Sequence, residues 1–391
     1  MNLTIGRRAI LCTALAAGVV FAGCVTDAAS DKTPYVFAVI GPLSGDNAVY
    51  GISLRRGTQL AADQINAADG IKGRKVQLEF LDTQCQATQA ANAAAKIASD
   101  PSVWGVIGDV CSSATLAAIP ILYRAGIAEV SGDSTSPLIT KVVKDHHYDN
   151  FSRTINSDIQ QGGDIVKLAI DALHKKRIGI LYASDDFGQP LYEYEKQLIP
   201  TEGGKLVAAA TYTPTTNKDF TPQWTSLAAA TPDVIIVDGY YNDAGTAVSQ
   251  MSRAGLSGVT LICSGGIDHP DFMRLGGSAT EGAYVFSEYN PSNNSPQNVK
   301  FAAAFQAKYH EEPNEQSTFG YEIPFIYKMA IEKGATKDTL AKVVRSLTFV
   351  GPTGVTRFDS NGDVKGKPMV VDIVKDGKLV YDAAMTKAIG E

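Results

Sequence analysis

Strand-like and helix-like patterns alternate along most of the chain. From residue 34 an apolar run, "PYVFAVIG", ends in Gly-Pro, and residues 57–66 place Leu60, Ala61 and Ile65 at the spacing of one helix face. "KVQLEFLD" alternates as a half-buried strand does, and "QATQAANAAAKIAS" is an alanine-rich helix. "VWGVIG", "LAAIPILYRAG" and "IAEVSG" read as strand, helix and strand. This order predicts a parallel sheet with helices on both faces. Pro120 falls in the helix after Ser112, where an early turn is expected to tolerate it.

The pattern restarts near residue 156. "DIVKLAIDALH" reads as a helix and "RIGILYAS" as a strand, and the alternation continues through "LYEYEKQLIP", "KLVAAATYT", "TPQWTSLAAA", "DVIIVDG", "AGTAVSQMSRAG" and "VTLICSG". That is a second parallel α/β unit, with no long flexible linker before it. "IGPLSGDNAVYG" and "LYASDDFG" each carry a strand into a polar loop that ends in an aromatic residue and Gly. Beyond "AYVFSEYN" come three helical stretches, then "GPTGVTRFDSNGDVKGKPMVVDIVKDGKLV", which predicts hairpins at its Asn-Gly and Asp-Gly turns.

The 391 residues are 45% hydrophobic and 19% charged, proportions of a globular chain long enough for two ordinary domains. The formal net charge of −6 comes with no basic block, which argues against nucleic acid, because phosphate binding draws on clustered Lys and Arg. The start of the chain is distinctive. "MNLTIGRRAILCTALAAGVVFAGCVTDAAS" has basic Arg7 and Arg8, an apolar stretch over 9–21 and then small residues. This predicts a secretory signal over 1–23, too short for a membrane span. In "FAGC", Cys24 stands where bacterial lipoprotein signals carry the lipidated cysteine; cleavage near 28–30 is the other reading. The mature chain is expected to be exported to the periplasm and to meet the membrane only through a lipid on Cys24. Cys85, Cys111 and Cys263 then remain in an oxidising compartment, most simply as one pair and one odd thiol.

Catalytic signatures are scarce. His146, His147, His174, His269 and His310 show no metal-ligand spacing, so no metal is expected. There is no phosphate loop, no Gly-x-Gly-x-x-Gly after a strand and no Gly-x-Ser-x-Gly elbow. A Cys111 nucleophile would need a reduced thiol and a nearby base, and the nearest histidine in sequence is distant. No enzyme and no cofactor are expected. What "CSSAT" offers is a helix N-terminus, where the amides of Ser112 and Ser113 and a serine hydroxyl could meet a carboxylate. The alternative is that one of these serines simply caps the helix. If "SGDSTSPLIT" leaves its strand extended, Ser131, Asp133 and Thr135 share one side. Both loops leave at the carboxyl edge of the sheet, where open α/β proteins bind ligands, so together they predict a cleft for a small polar molecule. The other reading is that Asp133 and Ser134 only turn the chain.

In this order, "GPLSGDNAVYG", "AADQINAADGIKGRKV", "VIGDVCSSAT", "SGDSTSPLIT", "YASDDFGQ" and "FDSNGDVKG" resemble motifs of one family. It is the bacterial periplasmic solute-binding proteins of branched-chain amino-acid transporters, the Leu/Ile/Val-binding type. The resemblance implies an α/β fold of two Rossmann-like lobes with parallel central sheets joined by a three-segment hinge, the type I periplasmic binding protein fold. Lobe 1 is expected from 31–155 plus 289–350, and lobe 2 from 156–288 plus 351–386. A disulfide between Cys85 and Cys111 is implied, worth roughly 3–4 kcal/mol on a chain-entropy account. So is a ligand carboxylate at Ser112 and Thr135, with the backbone of Val110 and Asp133 nearby and Ser134 among the binding residues. Tyr50 matches the family's aromatic on the first lobe, and Phe187 and Tyr240 match those of the second.

Two departures matter. The family's glutamate for the ligand ammonium falls at Gly265, and Asp133 stands where a small residue is usual. Losing one partner of a buried ion pair typically costs about 2–5 kcal/mol. Either Asp133 or Asp268 replaces that glutamate, or the ligand carries no ammonium. The function expected is that of the substrate-binding component of an ABC importer. It would be a monomer that docks on a membrane permease, with an amino acid as first-choice ligand and an aromatic acid or amide second. The alternative is a ligand sensor of the same fold acting through a regulatory partner.

Overall fold

The computed structural model describes Met1 and residues 32–390; the expected signal, Cys12 and the lipidation candidate Cys24 lie outside the described residues. Five parallel strands build the first sheet: β1 (Tyr35–Gly41), β2 (Val76–Asp82), β3 (Val103–Ile107), β4 (Ala128–Ser131) and β5 (Phe151–Arg153), in the order β2-β1-β3-β4-β5. β1 shows why its run is apolar throughout. Tyr35, Phe37 and Val39 belong to one core, while Val36, Ala38 and Ile40 join another with Ala94, Ile97, Ala118 and Leu122. Successive side chains point to opposite faces, so a strand covered on both needs no polar alternation.

The second sheet continues the parallel theme with β6 (Arg177–Ala183), β7 (Lys205–Tyr212), β8 (Val234–Asp238), β9 (Thr260–Cys263) and β10 (Tyr284–Ser287). β11 (Thr348–Gly351) and β12 (Gly354–Arg357) form a hairpin of their own. β13 (Val370–Lys375) and β14 (Lys378–Tyr381) then extend the second sheet antiparallel, giving the order β14-β13-β10-β9-β8-β6-β7.

Several local expectations change. The hairpin turn expected at Asn361–Gly362 is instead at Pro352–Thr353, whereas Asp376–Gly377 does turn β13 into β14. Asn361–Gly362 closes a loop around Asp359, whose carboxylate accepts from the Asn361 and Asp363 amides at 2.8 and 3.0 Å. The β11–β12 hairpin, a two-stranded sheet of its own, spans residues 348–357, and β13 of the second sheet begins at Val370. Pro120 sits deep within the helix Ser112–Arg124 rather than in its first turn. The helix continues past it because Ala118, Ile119 and Leu122 are buried.

The chain passes between the two sheets three times: after β5, after β10 and before β13. The helix Glu315–Glu332, which follows the second passage, packs back on the first half. There Tyr327 lies 4.9 Å from the Phe37 ring and donates to the Val106 carbonyl at 2.5 Å. Asn156 ties the passages to one another. Its amide donates to the Glu288 Oε1 at 2.7 Å and its side chain to the Lys367 carbonyl at 3.0 Å. Cys85 and Cys111 are bonded, with Cα atoms 5.3 Å apart across 26 residues, and Cys263 is a free, buried thiol.

Candidate functional site

The loop from β3 into the helix Ser112–Arg124 is shaped by buried polar groups. Gly108 adopts φ +112°, and a Cβ there would lie 2.0 Å from the Ile40 carbonyl, so only glycine fits. Asp109 is fully buried beneath the loop, and its Oδ1 accepts from the Val110 and Cys111 amides at 2.6 and 3.1 Å. Burial pushes this carboxyl up to about 6, although the Thr83 hydroxyl and those two amides oppose the shift. Disulfide-bonded Cys111 occupies the N-cap position with no side-chain cap bond, so neither Ser112 nor Ser113 caps the helix. The Ser112 hydroxyl accepts from the Ser136 amide at 3.3 Å and lines a cleft between the two halves.

This cleft of ≈ 560 Å³, partly open to solvent, takes up most of the residues expected from sequence. Tyr50, Val110, Ser112, Asp133 and Thr135 line it from the first half, and Phe187, Tyr240 and Gly265 from the second. Val110 contributes its side chain alone, because Asp109 takes its amide and Ser134 donates to its carbonyl at 3.2 Å. Ser134 does not reach the cavity. Its hydroxyl bonds Thr115 and the Asp109 carbonyl inside the first half. Ser131 is likewise turned inward, donating to the Asp109 carbonyl at 2.7 Å, so the loop is bent rather than extended. Asp268 lies outside the lining too. Burial raises its carboxyl to about 6, and a Ser287 hydrogen bond opposes the shift.

Gly265 is explained by a residue the sequence pattern did not indicate. Its amide donates to the Gln161 Oε1 at 2.5 Å, and a Cβ at 265 would meet that oxygen at 3.2 Å. Gln161 also donates to Asp158 at 2.8 Å, and Asp158 receives the field of Arg153 and the Thr135 hydroxyl. Position 265 is thereby occupied by a glutamine bridge rather than a carboxylate.

The aromatic side chains form one wall and reach across the cleft. Phe187 and Tyr240 lie 5.5 Å apart, and the Tyr240 hydroxyl donates to Asp185 at 2.7 Å. Tyr50 donates from the first half to the Gly266 carbonyl of the second and accepts from the Tyr241 amide at 3.3 Å. In the conformation described, its phenol closes the two halves against each other.

The remaining lining is acidic and went unrecognised in the sequence. Glu288, Glu315 and Gln316 border the cavity together with Ser287 and Met369. Both Asp133 oxygens and the Glu288 Oε2 are buried without a hydrogen-bond partner among the described residues. Burial, reinforced by Asp109, pushes Asp133 up to about 8; the Gln316 side chain opposes this. Burial raises Glu288 to about 7, with Lys367 and Asn156 pulling the other way. Glu288 stands at the carboxyl end of β10 in the second sheet, the counterpart of the edge of the first sheet that points to Ser112, and that position is the signal that could have found it. Glu315 and Gln316 carry no such signal, since they sit at a helix start behind the Asn314 cap.

The model of the periplasmic binding protein family matches residues 34–378. A leucine-, isoleucine-, valine-, threonine- and alanine-binding protein of Pseudomonas aeruginosa is 29% identical over 330 residues, 84% of this chain and 86% of the relative. Among solved structures, a leucine binding protein of Thermotoga maritima superposes with a TM-score of 0.82 at 29% identity, covering 89% of this chain and 98% of that one. The branched-chain amino acid substrate binding protein of Streptococcus pneumoniae, in complex with isoleucine, gives 0.81 at 25% identity, covering 89% and 100%.

Proposed function

The chain belongs to the periplasmic binding protein family, and from that membership we propose that it is the substrate-binding component of an ABC importer, capturing a small amino acid between its two halves. The observation that carries this reading is the shared cleft. One half brings the Ser112 hydroxyl at a helix N-terminus, and the other brings Phe187, Tyr240 and the edge of Gly265. A ligand touching both halves favours the closed arrangement, because only differential contact can shift an open–closed balance. The free amides of the first helical turn, with the positive end of its dipole, suit a carboxylate. Phe187 and Tyr240 suit an apolar side chain. The relatives named above, by their names, bind amino acids of this kind.

In this reading the chain performs no chemistry. It acts as a periplasmic monomer, delivered by its N-terminal signal and held by lipid on Cys24, and the closed form docks on a membrane permease. The test is a thermal-shift panel of L-amino acids, aromatic acids and amides, confirmed by calorimetry. Ligand at 100 times its Kd should stabilise the fold by about 2.7 kcal/mol. At least one amino acid is expected to raise the melting temperature. A panel in which only aromatic acids or amides do so replaces the ligand class, and a flat panel removes the reading.

A further inference from the structure

We propose that Glu288, assisted by Asp133, holds the ammonium group of the ligand, so that positive charge is read at the hinge rather than at position 265. The proposal rests on the cleft reading above and names the ligand's second anchor. Glu288 follows β10 on the second passage between the halves and is only 6% exposed. One of its oxygens is engaged, with Oε1 accepting the Asn156 amide at 2.7 Å. The other, Oε2, is buried with no hydrogen-bond partner among the described residues, and the residue lines the cavity. Asp133 lines the same cavity from the loop after β4; among the described residues neither of its buried oxygens is paired with a cation, and the Gln316 side chain is the neighbour that favours its ionised form.

Neighbouring groups relieve this charge only in part: Lys367, Asn156 and Arg153 favour the ionised Glu288, and burial outweighs them. Glu315, the third acid of the lining, is engaged through Oε2, which accepts the Glu288 amide at 2.5 Å and the Ser287 hydroxyl at 3.0 Å. Lys367 donates to Thr353 at 2.6 Å and lies 3.7 Å from Glu322, above the Phe319 ring. Arg153 is paired with Asp363 at 2.7 Å and donates to the Ser134 and Ser136 carbonyls. Neither cation lines the cavity. An ionised carboxylate buried without a partner is costly, and a ligand ammonium between Asp133 and Glu288 supplies what both lack. A simple carboxylic acid would instead add a like charge. Among the described residues no group of three or more His, Cys, Asp or Glu is placed to hold a metal ion. The ligand class is therefore a molecule with a primary ammonium, and acids that lack one are rejected.

Glu288 also receives the Asn156 amide, and Asn156 donates to the Lys367 carbonyl on the third passage. An ammonium bound here touches the crossing segments directly.

The test is calorimetric titration of the full chain with L-leucine, with 4-methylpentanoate, which lacks its ammonium, and with 3-methylbutylamine, which lacks its carboxylate. The amino acid that binds tightest in the thermal-shift panel is titrated alongside. The parent is expected to prefer the amino acid to its deaminated acid by about 30-fold or more, the factor that loss of one buried ionic partner implies. Glu288→Gln should lose about 30-fold or more for the amino acid, Asp133→Asn should weaken it too, and neither should weaken the deaminated acid. Ligand-free melts serve as the folding control. Replacing an unpartnered carboxylate by an amide should leave the melting temperature equal or higher, whereas a merely structural role would lower it.

Variants that bind the amino acid as the parent does overturn this proposal and leave the cleft reading intact. Binding of acids or amides with no ammonium compound does the same. Binding of amines without amino acids overturns the amino-acid reading and supports this proposal. No binding by any probe overturns both.

Discussion

Of the buried carboxylates among the described residues, two pairs differ in what stands beside them. Asp133 and Glu288 border the cleft. Glu195, from the helix Gly188–Thr201, and Asp238, at the end of β8, are fully buried within the second half and do not line the cleft. All four oxygens of the second pair lack a separate donor among the described residues. Burial pushes Asp238 up to about 8, with Glu195 as its hydrogen-bonding neighbour, and raises Glu195 well above its ordinary range. Two carboxyls in this arrangement relieve each other by sharing a proton. The cleft pair has room for a ligand to do the same work. An unpaired acid thus points to a ligand only when a cavity adjoins it.

The largest effect of such acids is on stability, and both pairs share it until a ligand occupies the cleft. A carboxyl with its folded-state value raised keeps a proton that the unfolded chain releases. Stability is therefore full below the ordinary value near 3.8 and falls as pH rises towards about 8. Ligand-free melts should decline between pH 5 and pH 8, and Asp238→Asn should flatten the decline. A slope unchanged in that variant would break the contrast.

Next in size is the pH dependence of binding. An ammonium requires the cleft acids ionised, so affinity for the amino acid should rise about tenfold between pH 6 and pH 8 as Glu288, near 7, loses its proton. Asp133, facing Asp109 and Gln316, adds in the same direction. Calorimetry in two buffers of different ionisation enthalpy would detect the released proton. Saturating ligand should remove the cleft pair's part of the stability slope and leave that of Glu195 and Asp238.

Smaller effects probe the rest of the cleft. Tyr50→Phe keeps the ring and removes the bonds to the Gly266 carbonyl and the Tyr241 amide, which should raise Kd about five- to tenfold in titration. Ser112→Ala should raise Kd by a few-fold, on the order of a single neutral hydrogen bond. A far larger loss at Ser112 than at Glu288 would show that the carboxylate end dominates.

Local pattern carried the alternation of strands and helices, because β1 and its neighbours bury both faces and are apolar throughout. It also carried the first-half loops, whose Ser112, Asp133 and Thr135 leave one sheet edge and line one cavity. It did not reveal that Ser134 turns inward, since residues adjacent in a bent loop point in different directions. Glu288 was hidden for a different reason. A single acid after a strand has no periodicity, and its partner Asn156 is 132 residues away. Gln161 was hidden in the same way, since its bond to Gly265 spans 104 residues. Contacts that join separate passages of the chain leave no mark in any short window.

The Tyr50 contacts also bear on timing. An importer's carrier must surrender its cargo as well as seize it, and escape requires the halves to part. Tyr50 grips backbone groups of Gly266 and Tyr241, which have no chemical identity for a solute to match. On the proposed reading, selectivity would reside in the charges and rings around the solute, while the phenol would set dwell time, the quantity in which related complexes differ most. Retention and choice would in this way be built from separate side chains.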